Sequence, residues 1–266
     1  MLKSAENGLG SYEPYYFNED QTQISTYFLP FEPYHENLEY HTIALNGTQG
    51  NQLYNIFVHN LNAHKALQRV NASWYNVSAL SNVRPFILLE SSWVGSGSMG
   101  VGLITDMKRE WDSLKGVIAQ AYSLSMAGMN NLMVDGCGSL GQLDEELCAR
   151  WMQLAAFMPM FRGYYNATYS DSKGNRLPTD PSEYWNFKNQ DYQIAYTSAI
   201  ANRMPYLRYI YSQLYRTYRV GGAIVRPLIF DNPTDTQTYN NVEETYMLGD
   251  SIKVSPVLQQ GLKDGD

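Results

Sequence analysis

Acidic side chains follow short apolar runs in this sequence, and carboxyl groups in such positions can catalyse the cleavage of a bond. Phe86–Leu89 is followed by Glu90, and Leu103–Ile104 is followed closely by Asp106. A third carboxylate, Asp135, ends another brief apolar segment. Parallel strands of α/β barrels present their catalytic groups in this order of strand, polar loop and helix. Carboxyl groups placed in this way can act as general acids or bases.

Two interpretations of Asp106 remain open at this level. As a general acid it needs a pKa raised by burial or by a neighbouring carboxylate. Alternatively, it caps the helix that is predicted to begin near Lys108.

Alternating short strands and amphipathic helices indicate an α/β domain with a parallel sheet. Strands are predicted at Phe86–Leu89 (buried on both faces), Leu103–Ile104, Asn131–Val134, Met158–Arg162, Val225–Phe230 and Ile252–Leu258. Helices are predicted over about 52–70 and 108–127, after an Asp144 cap, and over 191–218 with a kink at Pro205. The first four strands give four βα units, which is half of an eightfold barrel. We expect a loop-rich segment over residues 1–55, the half-barrel over 56–222, and the start of a β domain over 223–266.

The segment Gly95–Gly100 formally matches the dinucleotide-binding pattern GxGxxG. However, it leads into a strand instead of opening a helix, and no acidic residue follows at the distance that a ribose requires. The ordinary explanation is a tight, close-packed loop, and no cofactor is expected. The histidines at positions 35, 41, 59 and 64 lack the spacing of a zinc helix, so no metal site is expected.

Composition limits the partners and the compartment. A net charge of −7 and a pI near 5.1 argue against nucleic acid, because a phosphate-binding face needs clustered Lys and Arg. No apolar run is long enough for a transmembrane segment, and the first thirty residues lack a signal-peptide layout. The sequence contains four N-glycosylation sequons, at Asn46, Asn71, Asn76 and Asn166.

The only two cysteines, Cys137 and Cys148, flank a short loop before a helix. Their separation is one that a disulfide can close, and two buried free thiols are the alternative. Together with the sequons, the cysteines favour the oxidising lumen of the secretory pathway, with a lysosomal or extracellular destination.

Motifs in one order along the chain resemble the C-terminal half of glycoside hydrolase family 31, the family of α-glucosidases. They are Arg84-Pro85-Phe86, Gly95-Ser96-Gly97, Asp106, Trp111, Asp135–Gly138, Glu145–Leu154, Arg226-Pro227-Leu228, Leu248-Gly249-Asp250 and Ser255-Pro256-Val257. The similarity covers roughly residues 40 to 258. It implies a retaining α-glycosidase on a (β/α)8 barrel, in which two carboxyl groups about 5 to 5.5 Å apart act across the sugar. It also implies that Asp106 is the acid/base residue, that Asp135 binds substrate, and that Cys137 pairs with Cys148.

The departures from the family pattern fall on the sugar pocket. The nucleophile box Trp-x-Asp-Met-Asn-Glu does not occur in this sequence. Glu90 stands where the family has a sugar-binding arginine, and Gly102–Thr105 replaces the His-Trp-Thr-Gly that precedes the acid. After Arg162, Tyr164 stands in place of a histidine. Glu90, Asp135, Arg162 and Tyr164 are therefore the candidate ligand-binding residues.

Two hypotheses follow from the resemblance and its departures. In the first, the sugar site has decayed, and the chain is a structural or carbohydrate-binding subunit with an α-glucoside or glycan as its ligand. In the second, it is part of an active α-glucosidase whose nucleophile lies in a separate or missing N-terminal half. Both require a companion chain or a longer parent, because half a barrel leaves strand edges unpaired and part of its core uncovered.

Overall fold

The computed structural model describes residues 61–163 and 183–261, together with the backbone of two short strands near the N-terminus. Those strands, β1 (Tyr15–Phe17) and β2 (Ile24–Thr26), pair antiparallel. The chain divides into two compact units, Met1–Ala66 and Leu67–Asp266. Most of the segment predicted to be loop-rich, and the candidate residues Asn46, Tyr164 and Asn166, lie outside the described residues.

A parallel sheet forms the centre of the larger unit. Its strands are β3 (Leu88–Leu89), β4 (Val101–Ile104), β5 (Leu132–Gly136) and β6 (Met160–Gly163), in that order across the sheet. Every residue of β4 and β5 is buried, as expected for parallel strands that are covered on both faces. This confirms the predicted α/β class.

Five helices accompany the sheets in the described residues. They are α1 (Asn62–Asn76), α2 (Trp111–Met126), α3 (Glu145–Ala156), α4 (Gln190–Arg203) and α5 (Leu207–Val220). Short 3-10 turns lie at Ser96–Ser98, Tyr184–Asn186, Met204–Tyr206, Leu228–Phe230, Thr236–Tyr239 and Val242–Glu244. Helices α2 and α3 bury Leu114, Ile118 and Trp151 in one core with Ile104 and Val134 of the sheet. No helix within the described residues has the length and apolar character needed to cross a membrane.

Local sequence signals set several helix ends. The Asp144 side chain accepts a hydrogen bond from the Leu147 backbone N–H at 3.0 Å, which confirms the predicted cap of α3. Pro205 lies in the 3-10 turn that separates α4 from α5, so the predicted kink is a break between two helices. Gly221 ends α5 with a φ of 81°, a conformation that favours glycine.

A second, antiparallel sheet follows α5. It contains β7 (Val225–Arg226), β8 (Tyr246–Leu248) and β9 (Ile252–Val254). The buried Tyr246 hydroxyl contacts the backbone carbonyls of Leu154 and Phe157 at 3.3 and 3.2 Å, at the end of α3. This sheet therefore packs directly on the helical layer of the first.

Several predicted elements have other bounds. The strand at Phe86 was expected to be buried on both faces, but only Leu88–Leu89 is strand, it is half-buried at the sheet edge, and Phe86 is 60% exposed. The strand predicted from Val225 to Phe230 ends at Arg226, because Pro227 has no N–H to donate and a 3-10 turn follows. The strand predicted from Ile252 ends at Val254, and the strand Tyr246–Leu248 was missed.

A buried arginine fixes α4 to the segment that enters β6. Arg203 is only 7% exposed, and its guanidinium donates to the backbone carbonyls of Ala156, Met158 and Pro159. The distances to the Met158 and Pro159 oxygens are both 2.6 Å. The guanidinium also lies over the Phe161 ring, 5.4 Å from its centroid. Burial lowers the pKa of Arg203.

We expect Arg203→Met to lower the free energy of unfolding by about 3 kcal/mol, because three buried carbonyls lose a charged donor. Urea unfolding of the complete protein measures this loss. Arg208→Met, on the exposed face of α5, is the matched control and should change stability by less than about 0.5 kcal/mol. Equal effects of the two variants would show that the Arg203 contacts carry no stability.

We also expect stability to fall as the pH rises above about 10, where unfolded tyrosines ionise. Burial raises the pKa of Tyr196 to about 12 and raises the pKa of Tyr122 and Tyr246 as well. The folded state therefore keeps protons that the unfolded state releases. The free energy of unfolding falls as the pH rises above the pKa of an unfolded tyrosine towards the higher pKa of the buried one. Unfolding midpoints between pH 8 and 11.5 test this, with Tyr246→Phe expected to flatten the pH dependence and Tyr211→Phe, at an exposed position, expected not to change it.

Candidate functional site

Four candidate residues lie at one edge of the parallel sheet. Glu90 follows β3, Asp106 follows β4, and Asp135 and Arg162 are the next-to-last residues of β5 and β6. Because the strands run parallel, their carboxyl ends meet at the same edge. This edge is where α/β folds bind ligands.

Asp135 is the central group of this edge. Its side chain is 3% exposed, and it forms a bidentate ion pair with Arg162. The Arg162 Nη2 donates to Asp135 Oδ2 at 3.1 Å, and Nε donates to Oδ1. The Thr105 hydroxyl donates to Oδ2 as well. Both carboxylate oxygens therefore accept hydrogen bonds, as a buried charge requires.

Strand register produces this contact. Asp135 and Arg162 are directly paired residues of β5 and β6, and Thr105 is the first residue after β4 on the other side. Asp135 and Arg162 were predicted from the sequence as candidate residues, whereas Thr105 was not. The only signal was its position between a buried strand and Asp106.

Asp106 differs from Asp135 in exposure and in conformation. It is exposed, and its side chain makes no hydrogen bond or ion pair within residues 61–163 and 183–261. Its backbone φ is +56°, a left-handed conformation that costs a non-glycine residue about 1 kcal/mol. The interpretation of Asp106 as a helix cap is wrong, because α2 begins at Trp111 and Glu110 occupies the cap position.

The residues before Asp106 belong to the core. Leu103 is 8% exposed and clusters with Val101 and Met133, whereas Ile104 is 1% exposed and packs with the helices on the other face. Gly102 and Leu103 stand where the family pattern has a histidine and a tryptophan, so strand β4 carries neither an imidazole nor an aromatic ring there. Glu90 is exposed beside the edge strand β3.

A disulfide joins the end of β5 to α3. Cys137 and Cys148 are both buried, with Cα atoms 4.3 Å apart, and they form the disulfide that the resemblance implies, not a pair of free thiols. Cys137 is two residues beyond Asp135 and has a φ of +67°, so the bond holds a strained turn beside the site. A crosslink over this separation stabilises by about 3 kcal/mol.

Within the described residues, no group of three or more His, Cys, Asp or Glu side chains could hold a metal ion. The glycine segment forms a 3-10 turn that leads into β4, and a Cβ on Gly97 would collide with the Gly128 carbonyl. Close packing therefore explains these glycines.

Comparison with known proteins places this geometry in a family. The model of the glycosyl hydrolase family 31 TIM-barrel domain matches residues 13–213, and the model of the C-terminal domain of that family matches residues 221–265. The chain belongs to glycosyl hydrolase family 31. The parallel sheet with its helices is a fragment of the TIM barrel, and the antiparallel sheet belongs to the C-terminal domain.

Curated family 31 relatives are much longer than this chain. The α-glucosidase of Aspergillus niger is 31% identical over 246 residues, which is 92% of this chain and 22% of that protein. Neutral α-glucosidase AB of Dictyostelium discoideum is 30% identical over 254 residues, 96% of this chain and 25% of that protein. The chain thus spans about a quarter or less of the length of these relatives.

Solved structures of family 31 enzymes share the fold. A dextranase of Flavobacterium johnsoniae complexed with glucose superposes with a TM-score of 0.67 at 19% identity, covering 79% of this chain and 25% of that one. The heterodimeric complex of ER glucosidase II superposes with a TM-score of 0.65 at 22% identity, covering 79% of this chain and 22% of the matched chain.

We expect Arg162→Met to lower the free energy of unfolding by about 3 to 5 kcal/mol, because it leaves a buried carboxylate without its counter-ion. The double variant Asp135→Asn/Arg162→Met should recover much of that loss, since it removes both charges. Urea unfolding of the wild type, both single variants and the double variant gives the coupling energy. Strictly additive effects would contradict a direct ion pair.

Proposed function

We propose that this chain is the C-terminal part of an α-glucosidase-like barrel and that it binds an α-glucoside or glycan as a non-catalytic subunit. The observation that carries the proposal is the state of Asp135, whose two oxygens are occupied by Arg162 and Thr105. A carboxylate held in this way accepts hydrogen bonds and orders its neighbours. On this proposal Asp135 orients Arg162 towards a ligand, and the nucleophile box of the family does not occur in this sequence.

Hydrolysis with retention needs a nucleophile and an acid/base carboxyl about 5 to 5.5 Å apart. Asp106 has the position of the acid/base residue on the family pattern. No Trp-x-Asp-Met-Asn-Glu segment occurs in this sequence to supply the nucleophile. Glu90 stands in place of a sugar-binding arginine. A positively charged guanidinium that donates two hydrogen bonds is thereby replaced by a negatively charged carboxylate that accepts them.

Binding would use the ion pair. The Arg162 side chain is 33% exposed while its partner Asp135 is 3% exposed, so Asp135 orients a side chain that is partly accessible to solvent. A guanidinium can donate hydrogen bonds to sugar hydroxyls. Tyr164 follows two residues later in the chain, and we propose it as a further ligand contact.

A companion segment would complete the barrel. Within the described residues, β3 and β6 each pair with one neighbour only, at opposite edges of the sheet. We propose that a separate chain, or a further part of a longer parent, pairs with these edges. On this proposal residues 56–222 are the barrel segment, residues 1–55 precede it, and residues 223–266 begin the β domain.

We place this protein in the secretory pathway lumen, with a lysosomal or extracellular destination. The disulfide between Cys137 and Cys148 supports an oxidising compartment, and so do the sequons. Asn71 and Asn76, on α1, are the sequon asparagines among the described residues.

One observation favours a second function, that of an active α-glucosidase whose nucleophile comes from sequence outside this chain. Asp106 is exposed beside the carboxyl ends of the parallel strands, and its backbone has a left-handed conformation. Strain of this kind is often found at active sites. An acid/base carboxyl would need such access to a leaving oxygen.

Hydrolysis of an aryl α-glucoside by the complete assembly tests the two functions. We expect no turnover above background, and we expect Asp106→Asn to bind an α-glucoside about as tightly as the wild type. Arg162→Lys should bind it about tenfold more weakly, because the planar fork that Asp135 orients is lost.

Turnover by the wild-type assembly that Asp106→Asn abolishes would overturn the non-catalytic proposal and establish the second function. The variant Glu110→Gln, on the same exposed loop but at the start of α2, serves as the control for the loss of a negative charge.

A further inference from the structure

A cavity of about 240 Å³ opens at the end of the sheet opposite the candidate site. It lies between α1 and the segments that enter β3, β4 and β5, so it is at the amino ends of the strands. Its lining includes Arg84 and Phe86 before β3 and Asn131 before β5. None of the candidate-site residues described above lines this cavity.

The lining combines aromatic rings with polar groups. Phe86 is 60% exposed and Tyr75 is 44% exposed, which is high for rings that line a cavity. Arg84 and Asn131 add a guanidinium and an amide. A sugar ring suits such a lining, because its C–H face is apolar and packs on aromatic rings while its edge carries hydroxyl groups.

One wall of this cavity carries a glycosylation sequon. Asn71 and Tyr75 are four residues apart on α1, so they lie on the same face of the helix, and both line the cavity. Asn71 is half-buried in the middle of α1, and its residue borders the cavity. Asn71-Ala72-Ser73 is one of the four sequons.

We infer that Asn71 carries an N-linked glycan whose first sugar sits in this cavity against Phe86 and Tyr75. The attachment uses a lipid-linked diphospho-oligosaccharide as its donor. The Asn71 Nδ2 forms a bond to the anomeric carbon of the first sugar, the bond from that carbon to the diphosphate oxygen breaks, and the amide proton leaves to solvent. The lipid diphosphate is the leaving group. The inference goes beyond the proposed function and needs only the lumenal location on which that proposal also relies.

The neighbouring sequon provides an internal control. Asn76 is the last residue of α1 and is exposed, and it is absent from the cavity lining. A glycan on Asn76 therefore projects into solvent. The two glycans should differ in accessibility although they are five residues apart in the sequence.

The test is endoglycosidase digestion of the complete protein secreted from a eukaryotic host, followed by mass spectrometry of the glycopeptides. We expect both asparagines to be occupied, with the Asn71 glycan released about tenfold more slowly than the Asn76 glycan in the native protein. Denaturation should make the rates equal. Phe86→Ala should bring the native Asn71 rate close to the Asn76 rate without changing occupancy.

Two outcomes would overturn the inference: an unoccupied Asn71, or equal native release rates at the two positions. If Phe86→Ala destabilises the fold, Tyr75→Ala provides a second variant with the same expected effect. The Asn76 rate in each variant reports whether the fold as a whole has loosened. These readouts are independent of aryl α-glucoside hydrolysis, so this inference and the proposed function can fail separately.

Discussion

The candidate site depends on one buried negative charge. Asp135 lies in the fully buried strand β5, and an isolated carboxylate there would cost several kcal/mol. Arg162 on β6 and Thr105 after β4 satisfy it, so a single side chain connects three neighbouring strands at their carboxyl ends. The disulfide of Cys137 then fixes the turn that follows. The geometry of the candidate site is set by how this charge is neutralised.

The two carboxylates of this site differ in their surroundings: one is buried and hydrogen-bonded, and the other is accessible to solvent. The buried carboxylate, Asp135, accepts hydrogen bonds at both oxygens and orients the Arg162 guanidinium. The carboxylate that is accessible, Asp106, lacks a side-chain partner in the described parts of the chain and follows a strand with an apolar end at Leu103 and Ile104. The fold of family 31 is retained, while the surroundings that would tune Asp106 for acid catalysis are replaced. That combination is the basis on which we propose binding without hydrolysis.

Sequence reasoning succeeded where local chemistry decides the structure. The Asp144 cap and the apolar periods of α2 and α3 are local signals, and the structure has both. Pro205 was predicted to kink one helix, and it lies instead in a turn that separates two helices. The predictions were wrong where the structure depends on how strands pair. Phe86 has the hydrophobicity of a buried strand residue, but within the described residues β3 pairs on one side only, and exposure depends on whether a neighbouring strand covers it. Tyr246–Leu248 is too short to show a period and becomes a strand through pairing with β7 and β9. The contact between Thr105 and Asp135 also depends on register, which no local pattern shows.

The most direct test of the central claim is a crystal structure of the complete assembly with a bound, non-hydrolysable α-glucoside. The account predicts a sugar ring at the carboxyl ends of β4 to β6, with hydroxyl groups within hydrogen-bond distance of Arg162 while the Arg162–Asp135 pair remains intact. It also predicts that this chain contributes no second carboxyl across the anomeric carbon from Asp106. A sugar held between Asp106 and another carboxyl of this chain, about 5 to 5.5 Å apart, would contradict it.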